Sequence, residues 1–327
     1  MQVYPNTPAS SDVAVPVRVV AGFWRRLLAF AIDAFITAVP CGILGFALYG
    51  FFSAAGAAAV LIGFVLTMLY FAILGSSVTQ GQTLGHRITH IQIVDRQGKP
   101  VSLECSFLRY LILLGPILLS SAAFPGSQRF GVAMGIDWLL TGAQVAIAYL
   151  YIFNRNSRQS LHDLATDTYV VDRESSGGVE LPRFWSGHWA ILGVAALVGA
   201  VLLTGFQNRI LKSGPFPELT AIQQAVLNTG KVQSAGIFVQ KNWRDSEQST
   251  GLVIDVAWRG KPSATEKEAT EIANAVLRAD PQAGERDFIT VRFLDGFMVG
   301  FFRFSNNRQV SHDPATWLKQ AQTYSLQ

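Results

Sequence analysis

A long apolar run near the start of the chain limits the possible folds more than any other feature. From Leu27 to Phe52 it contains a single charged residue, Asp33. A helix needs roughly 20 apolar residues to cross a bilayer, so the run predicts a membrane span. The pattern predicts five spans in all, at about residues 27–51, 55–75, 107–124, 134–153 and 188–206.

Asp33 lies within the first predicted span, seven residues after Arg26. Seven residues make two helical turns, so both side chains lie on one face of the helix. A carboxylate inside the bilayer costs roughly 2.5–3.5 kcal/mol on insertion scales. We therefore expect Asp33 to face other helices and to bind either a partner or a proton. The candidate partners are Arg26, Arg109, Arg158, His162 and Asp163.

Four separated motifs then occur in order: AGFWRRLLAFAID, GQTLGHRITHIQIVDRQGKPVS, FLRYL and NRNSRQSLHDLATDTYVV. With these motifs the chain resembles the RDD family of membrane proteins over about residues 21–171. The resemblance implies that the arginine of the family is Arg26 and that its two aspartates are Asp33 and Asp163. It also implies a bacterial integral membrane protein and suggests transport. His86 stands where the family usually has lysine.

Lys and Arg residues gather in the segments on one side of the predicted spans, whereas Arg129 stands alone on the other side. This asymmetry predicts a cytoplasmic N-terminus in the bacterial inner membrane. Five spans then place the C-terminal domain outside the cytoplasm. If the fifth segment instead lies on the membrane surface, that domain is cytoplasmic.

The predicted fold is an all-α membrane bundle, with four core helices and one further span, followed by a small α+β soluble domain. Its segments are a disordered cytoplasmic tail (1–20), the RDD-like bundle (21–175), a linker (176–187), the fifth helix (188–206) and the domain (207–327). In the first loop, Thr89 to Val94 is predicted to pair with Val101 to Leu103, and Thr168 to Val171 to join them. The C-terminal order is predicted as α-β-β-α-β-β-α, with the last hairpin turning at Asp295-Gly296.

The sequence points to one polar cluster, formed by Arg26, Asp33, Arg109 and Asp163. It is either a structural clamp of buried ion pairs or a site where Asp33 binds a cation or carries a proton. The secondary candidates are His86, Arg87, His162 and Asp137.

These residues lack metal-binding spacing, and the chain lacks a nucleophile–histidine–acid set or a basic stripe interleaved with aromatic residues. We therefore expect no enzyme activity, cofactor, metal or nucleic-acid partner. Two functions stay open: transport of a small cation or solute coupled through Asp33, or a non-transporting anchor or assembly factor that presents the external domain. The predicted partners are the lipid bilayer, a small cation or proton, and either a second copy of the chain or an envelope protein.

Overall fold

The computed structural model describes residues 17–120, 132–180, 184–212, 216–244, 247–258 and 265–325. They form a helical bundle followed by a domain built on a four-stranded sheet. In chain order the elements are α1 (Phe23–Ala47), α2 (Tyr49–Ala55), α3 (Ala57–Leu74), α4 (Leu84–Ile88), β1 (Ile91–Val94), α5 (Leu103–Leu119), α6 (Val132–Phe153), α7 (Leu161–Ala165), β2 (Tyr169–Asp172), α8 (Gly187–Lys212), α9 (Phe216–Asn228), β3 (Val232–Arg244), β4 (Glu247–Trp258), α10 (Glu266–Ala279), β5 (Phe288–Val299), β6 (Phe302–His312) and α11 (Pro314–Ser325).

Helices occupy all five predicted span positions, but they differ in length. Among the described residues, α1 and the Gly135–Phe153 part of α6 are long and apolar enough to cross a membrane. Helices α2 and α3 make a third span only if they are one span bent by 111°, and Gly56, with a φ of +54°, lies at the bend. Helix α5 and the apolar part of α8 are shorter. The end of the third predicted span and Arg129 lie outside the described residues.

A small two-stranded sheet joins the two loops at the end of the bundle where α1 begins, which we call the loop end. Strands β1 and β2 are antiparallel, with Ile91 opposite Asp172. The predicted pairing of β1 with Val101 to Leu103 is wrong, because Val94 makes only one bridge to Pro100. Proline has no N–H to continue a ladder, and α5 begins directly afterwards. The expected contribution of the second loop to this sheet is confirmed.

The first residues of the chain were predicted to form a disordered tail. Residues 1–16 lie outside the described part of the structure. Residues 17–20, in contrast, extend the small sheet: Val20 bridges Val171 in antiparallel fashion, and the Arg18 N–H donates to the Gly178 carbonyl at 2.9 Å.

The C-terminal domain has the predicted order of elements and an α+β arrangement. Its strands lie in the order β3-β4-β5-β6, with β4 and β5 parallel and the other pairs antiparallel. Helix α10 connects the two parallel strands. The core of the C-terminal domain includes Ile254, Val276, Phe293 and Trp317, which are at most 1% exposed.

The last hairpin is longer than predicted. The turn does not lie at Asp295-Gly296, because Asp295 is still paired with Asn306. The chain reverses instead after Val299, where Gly300 adopts a φ of +58° that suits glycine. The strands continue past the predicted turn because Phe297 and Val299 find apolar partners in the bundle.

Helix α8 places the sheet domain at the other end of the bundle from the loops. Near its start, His188 is 3.0 Å from the Tyr149 hydroxyl in the last turns of α6. Three turns later Gly199 lies against Trp138, close to the beginning of α6. Helices α6 and α8 therefore run in opposite directions, and the second end of the bundle is called the sheet end below.

Candidate functional site

Asp163 is the centre of a buried ion-pair network at the loop end. One carboxylate oxygen accepts from Arg26 of α1 at 2.5 Å, and the other accepts from Arg109 of α5 at 2.6 Å. All three side chains are at most 6% exposed. Asp163 also accepts the Ser160 N–H at 3.0 Å, which caps the start of α7. The network thus ties α1, α5 and α7 together.

The charge on Asp163 is fixed by its neighbours. Burial alone would raise the pKa of Asp163, but Arg26, His162 and Arg109 outweigh burial and hold that pKa well below its usual value. The Arg26 guanidinium also donates to the Arg158 carbonyl and lies 4.9 Å from the centre of the Tyr151 ring. Asp163 is therefore ionised at any physiological pH, as a clamp requires.

Asp33 has a different environment and pairs with none of the arginines in the described part of the chain. Its carboxylate, 1% exposed, accepts from the Tyr70 hydroxyl at 2.6 Å, the Thr83 hydroxyl at 2.5 Å and the Gly85 N–H at 2.7 Å. Thr83 is also the N-cap of α4. The GQTLG motif therefore folds over α1 as a cradle for this carboxylate.

Gly85 allows that close approach. A Cβ at this position would overlap the Ala29 carbonyl oxygen and lie 2.8 Å from the Asp33 carboxylate. Two of the three donors to Asp33 are hydroxyls, which can accept as well as donate hydrogen bonds. Asp33 can therefore take up a proton with both hydroxyl bonds retained, whereas Asp163 cannot become neutral without unpairing two arginines.

Two neutral histidines adjoin the clamp. Burial, followed by the positive charges of Arg109 and Arg26, lowers the pKa of His86 to about 3. Burial likewise lowers the pKa of His162 to about 3, against the opposing effect of Asp163. The neutral His86 therefore adds no fixed charge to the cluster.

A partly open cavity of about 420 Å³ lies among α1, α3, α5 and α6 beside these groups. Its polar wall holds the charged and titratable residues Arg26, Asp33, His86, Arg109 and His162. Its apolar wall comes from α1, α3, α5 and α6 and includes Phe30, Phe71, Leu113, Ile117 and Ile147. The arrangement can accept a small molecule with one polar and one apolar side, next to a carboxyl group that can exchange a proton.

The structure brings Arg26, Arg109, Asp163, His86 and His162 together and places Asp33 on the same cavity. It separates the two remaining candidates from this site. Arg87 is exposed on the outer side of α4. Asp137 lies near the sheet end of α6, about 20 Å along the helix axis from Tyr151 at 1.5 Å per residue.

Sequence reasoning missed the residues that hold Asp33. Thr83 and Gly85 lie in the second of the four motifs, but neither residue is titratable, so neither entered the candidate cluster. Tyr70 gave no signal, because a tyrosine in an apolar helix is usually a packing residue. Ser160 could have been found, since Ser160 and Asp163 have the spacing of a capping box.

The described residues contain no group of three or more His, Cys, Asp or Glu side chains that could hold a metal ion. Apolar helices with a buried charged cluster define an integral membrane protein rather than a globular one. The RDD family profile matches residues 20–167.

Two Bacillus subtilis (strain 168) proteins are similar to the chain, and both are uncharacterized. YxaI is 33% identical over 111 residues, covering 28% of this chain and 73% of its own. YckC is 28% identical over 159 residues, covering 46% of this chain and 83% of its own. The chain belongs to the RDD family.

Proposed function

We propose that this protein moves a small solute across the bacterial inner membrane, with Asp33 as the proton-exchanging group. The observation that carries the proposal is the cavity of about 420 Å³ that has Asp33 in its wall. Intramembrane carboxylates that face a cavity commonly mark ion and proton paths. The loop end lies in the cytoplasm, as the distribution of Lys and Arg favours.

The two aspartates have separate tasks in this proposal. Asp163 holds the bundle together as a permanent anion between two guanidinium groups. Asp33 changes its protonation state, since its hydroxyl partners Tyr70 and Thr83 suit either form. Arg26 and Arg109 also line the cavity, and their positive charges disfavour the binding of a metal cation there. The proposed coupling ion is therefore the proton, and the solute is neutral or anionic. The process has no enzymatic step.

Proton flux into proteoliposomes tests the proposal. A pH-sensitive dye inside the vesicles follows the decay of an imposed pH gradient for wild type and Asp33→Asn, at matched protein content. We expect decay above that of empty liposomes for wild type and no excess decay for Asp33→Asn. Na⁺ and K⁺ gradients imposed in parallel experiments test whether a metal ion, rather than the proton, is the coupling ion. Equal decay for wild type and empty liposomes under all three gradients would refute ion flux through the Asp33 site in the absence of solute.

A second candidate is a membrane anchor that holds the sheet domain for an envelope partner. It is favoured by the hairpin of β5 and β6, which fixes the domain against the bundle. Trp243, 72% exposed, is the penultimate residue of β3, at the opposite end of the strand from Gln233, which contacts Ala54 of α2. An anchor predicts that Trp243→Ala, which leaves the bundle untouched, impairs growth or partner recovery. A transporter predicts no change.

Both candidates allow a second copy of the chain as partner, because few helices surround the cavity. Cross-linking in native membranes would reveal a dimer.

A further inference from the structure

The tip of the β5–β6 hairpin, residues Phe297 to Phe302, lies inside the helical bundle. The Phe297 ring fills the notch at Gly45 so closely that a Cβ there would overlap it. The Phe302 ring lies where a Cβ on Gly42 would be 2.8 Å away. Small residues in membrane helices usually admit another helix. On the α1 face they admit aromatic side chains from the sheet domain.

The tip reaches deep between α1 and α3. The Gly300 backbone lies against Gly63 of α3, where a Cβ would overlap it. Beyond it, the Phe301 ring lies 5.8 Å from Phe30 and 6.4 Å from Phe71, measured between ring centres. Phe30 and Phe71 both line the cavity. The tip therefore stands directly behind the apolar wall of the cavity, on the side of the sheet end.

Two polar contacts hold the hairpin and its sheet against α2. The Tyr49 hydroxyl donates to the Asp295 carboxylate, and the Gln233 amide donates to the Ala54 carbonyl at 3.2 Å. The apolar cluster around the tip, with Phe297, Val299 and Cys41, is separate from the core of the sheet domain. The tip can therefore leave the bundle without opening the domain that carries it.

We infer that the hairpin tip is a plug, which closes the cavity toward the sheet end when seated and opens it when withdrawn. The control of access by the plug rests on the proposed transport function, whereas the contacts that seat the hairpin tip in the bundle do not depend on that function. In this arrangement the external domain controls access to the membrane site.

A disulfide between the tip and native Cys41 tests the plug. A Cβ at Gly300 would lie 3.1 Å from the Cys41 Sγ, close to what a disulfide needs. The variants are Gly300→Cys and, because Gly300 has a positive φ, Val299→Cys, each with Cys105→Ser. Cys105→Ser alone is the matched control. Copper phenanthroline with oxygen supplies the oxidant.

We expect oxidation to cross-link at least one variant and to reduce its proton flux to the level of empty liposomes, with recovery on reduction. The control should keep its flux. A cross-link that leaves flux unchanged would show that the tip need not move. Absence of a cross-link in both variants would contradict the seated position.

If wild type itself gives no proton flux, the proposed flux through Asp33 is refuted. The alkylation rate of Cys41 then tests the plug separately. Cys41, 5% exposed, lies beneath the tip. In the Cys105→Ser background, Phe297→Ala should speed alkylation by a membrane-impermeant maleimide on the order of a hundredfold or more, because the tip loses its largest contact. Equal rates with and without Phe297→Ala would overturn the plug.

Discussion

Asp163→Asn should be far more damaging than Asp33→Asn, although both remove one buried carboxylate at the loop end of the bundle. The change at Asp163 leaves Arg26 and Arg109 buried without their shared anion. Breaking a buried ion pair from one side costs roughly 3–5 kcal/mol. For a domain of this size each kcal/mol lowers the unfolding midpoint by about 2–4 °C, so a fall of about 6–20 °C is expected.

Asp33→Asn breaks no ion pair. The new amide oxygen still accepts from the Gly85 N–H and the Tyr70 hydroxyl, and the amide nitrogen faces the Thr83 hydroxyl, which can accept. The expected loss is about 1–2 kcal/mol, the scale of one weakened hydrogen bond. Thermal unfolding in one detergent, followed with a thiol-reactive dye, measures all variants. Asp137→Asn is the control, since within the described residues Asp137 has no ion pair. A midpoint for Asp163→Asn equal to that of the control would refute the clamp.

Three further outcomes are expected. Because burial lowers the pKa of His162 to about 3, the folded state keeps it neutral; its contribution to stability is full above about pH 6.5 and falls toward acid by about 1.4 kcal/mol per pH unit, and His86, with its pKa also lowered to about 3, adds a similar contribution. His162→Gln should therefore reduce the slope by about half in unfolding midpoints taken from about pH 7.5 to 5, and an unchanged slope would contradict the assignment. Gly85→Ala should cost roughly 1–3 kcal/mol through overlap with α1, whereas Gly142→Ala, which meets open space, should be neutral or stabilising. Phe297→Ala should lower the unfolding midpoint of the whole protein by the equivalent of about 3–5 kcal/mol, while Trp243→Ala leaves it unchanged, and equal midpoints would argue against docking of the tip.

The positions of the helices and the order of the sheet domain could be predicted because both depend on local patterns. Apolar length marked α1 and α6, and alternation marked β4 and β5. In α10, Thr265 is the N-cap and Glu268 closes the capping box.

What could not be predicted depends on contacts between distant parts of the chain. Arg26 seemed the natural partner of Asp33 because they share one helix face, yet Arg26 bonds to Asp163, 137 residues away. The turn at Asp295-Gly296 satisfied local rules for a hairpin. It was wrong because the strands continue until Phe297 and Val299 are buried in the bundle, which no local pattern records.

The seating of Gly300 against Gly63 also sets an order of events during biosynthesis. Helices α1 and α3 leave the ribosome early, but the segment that lies between them is made more than two hundred residues later. At 5–20 residues per second that delay is roughly 12–50 s. During this interval the inserted helices must remain with an open seam, or with lipid in it, until the sheet domain has folded and its hairpin has docked. Maturation of the membrane part is therefore completed by a much later portion of its own chain.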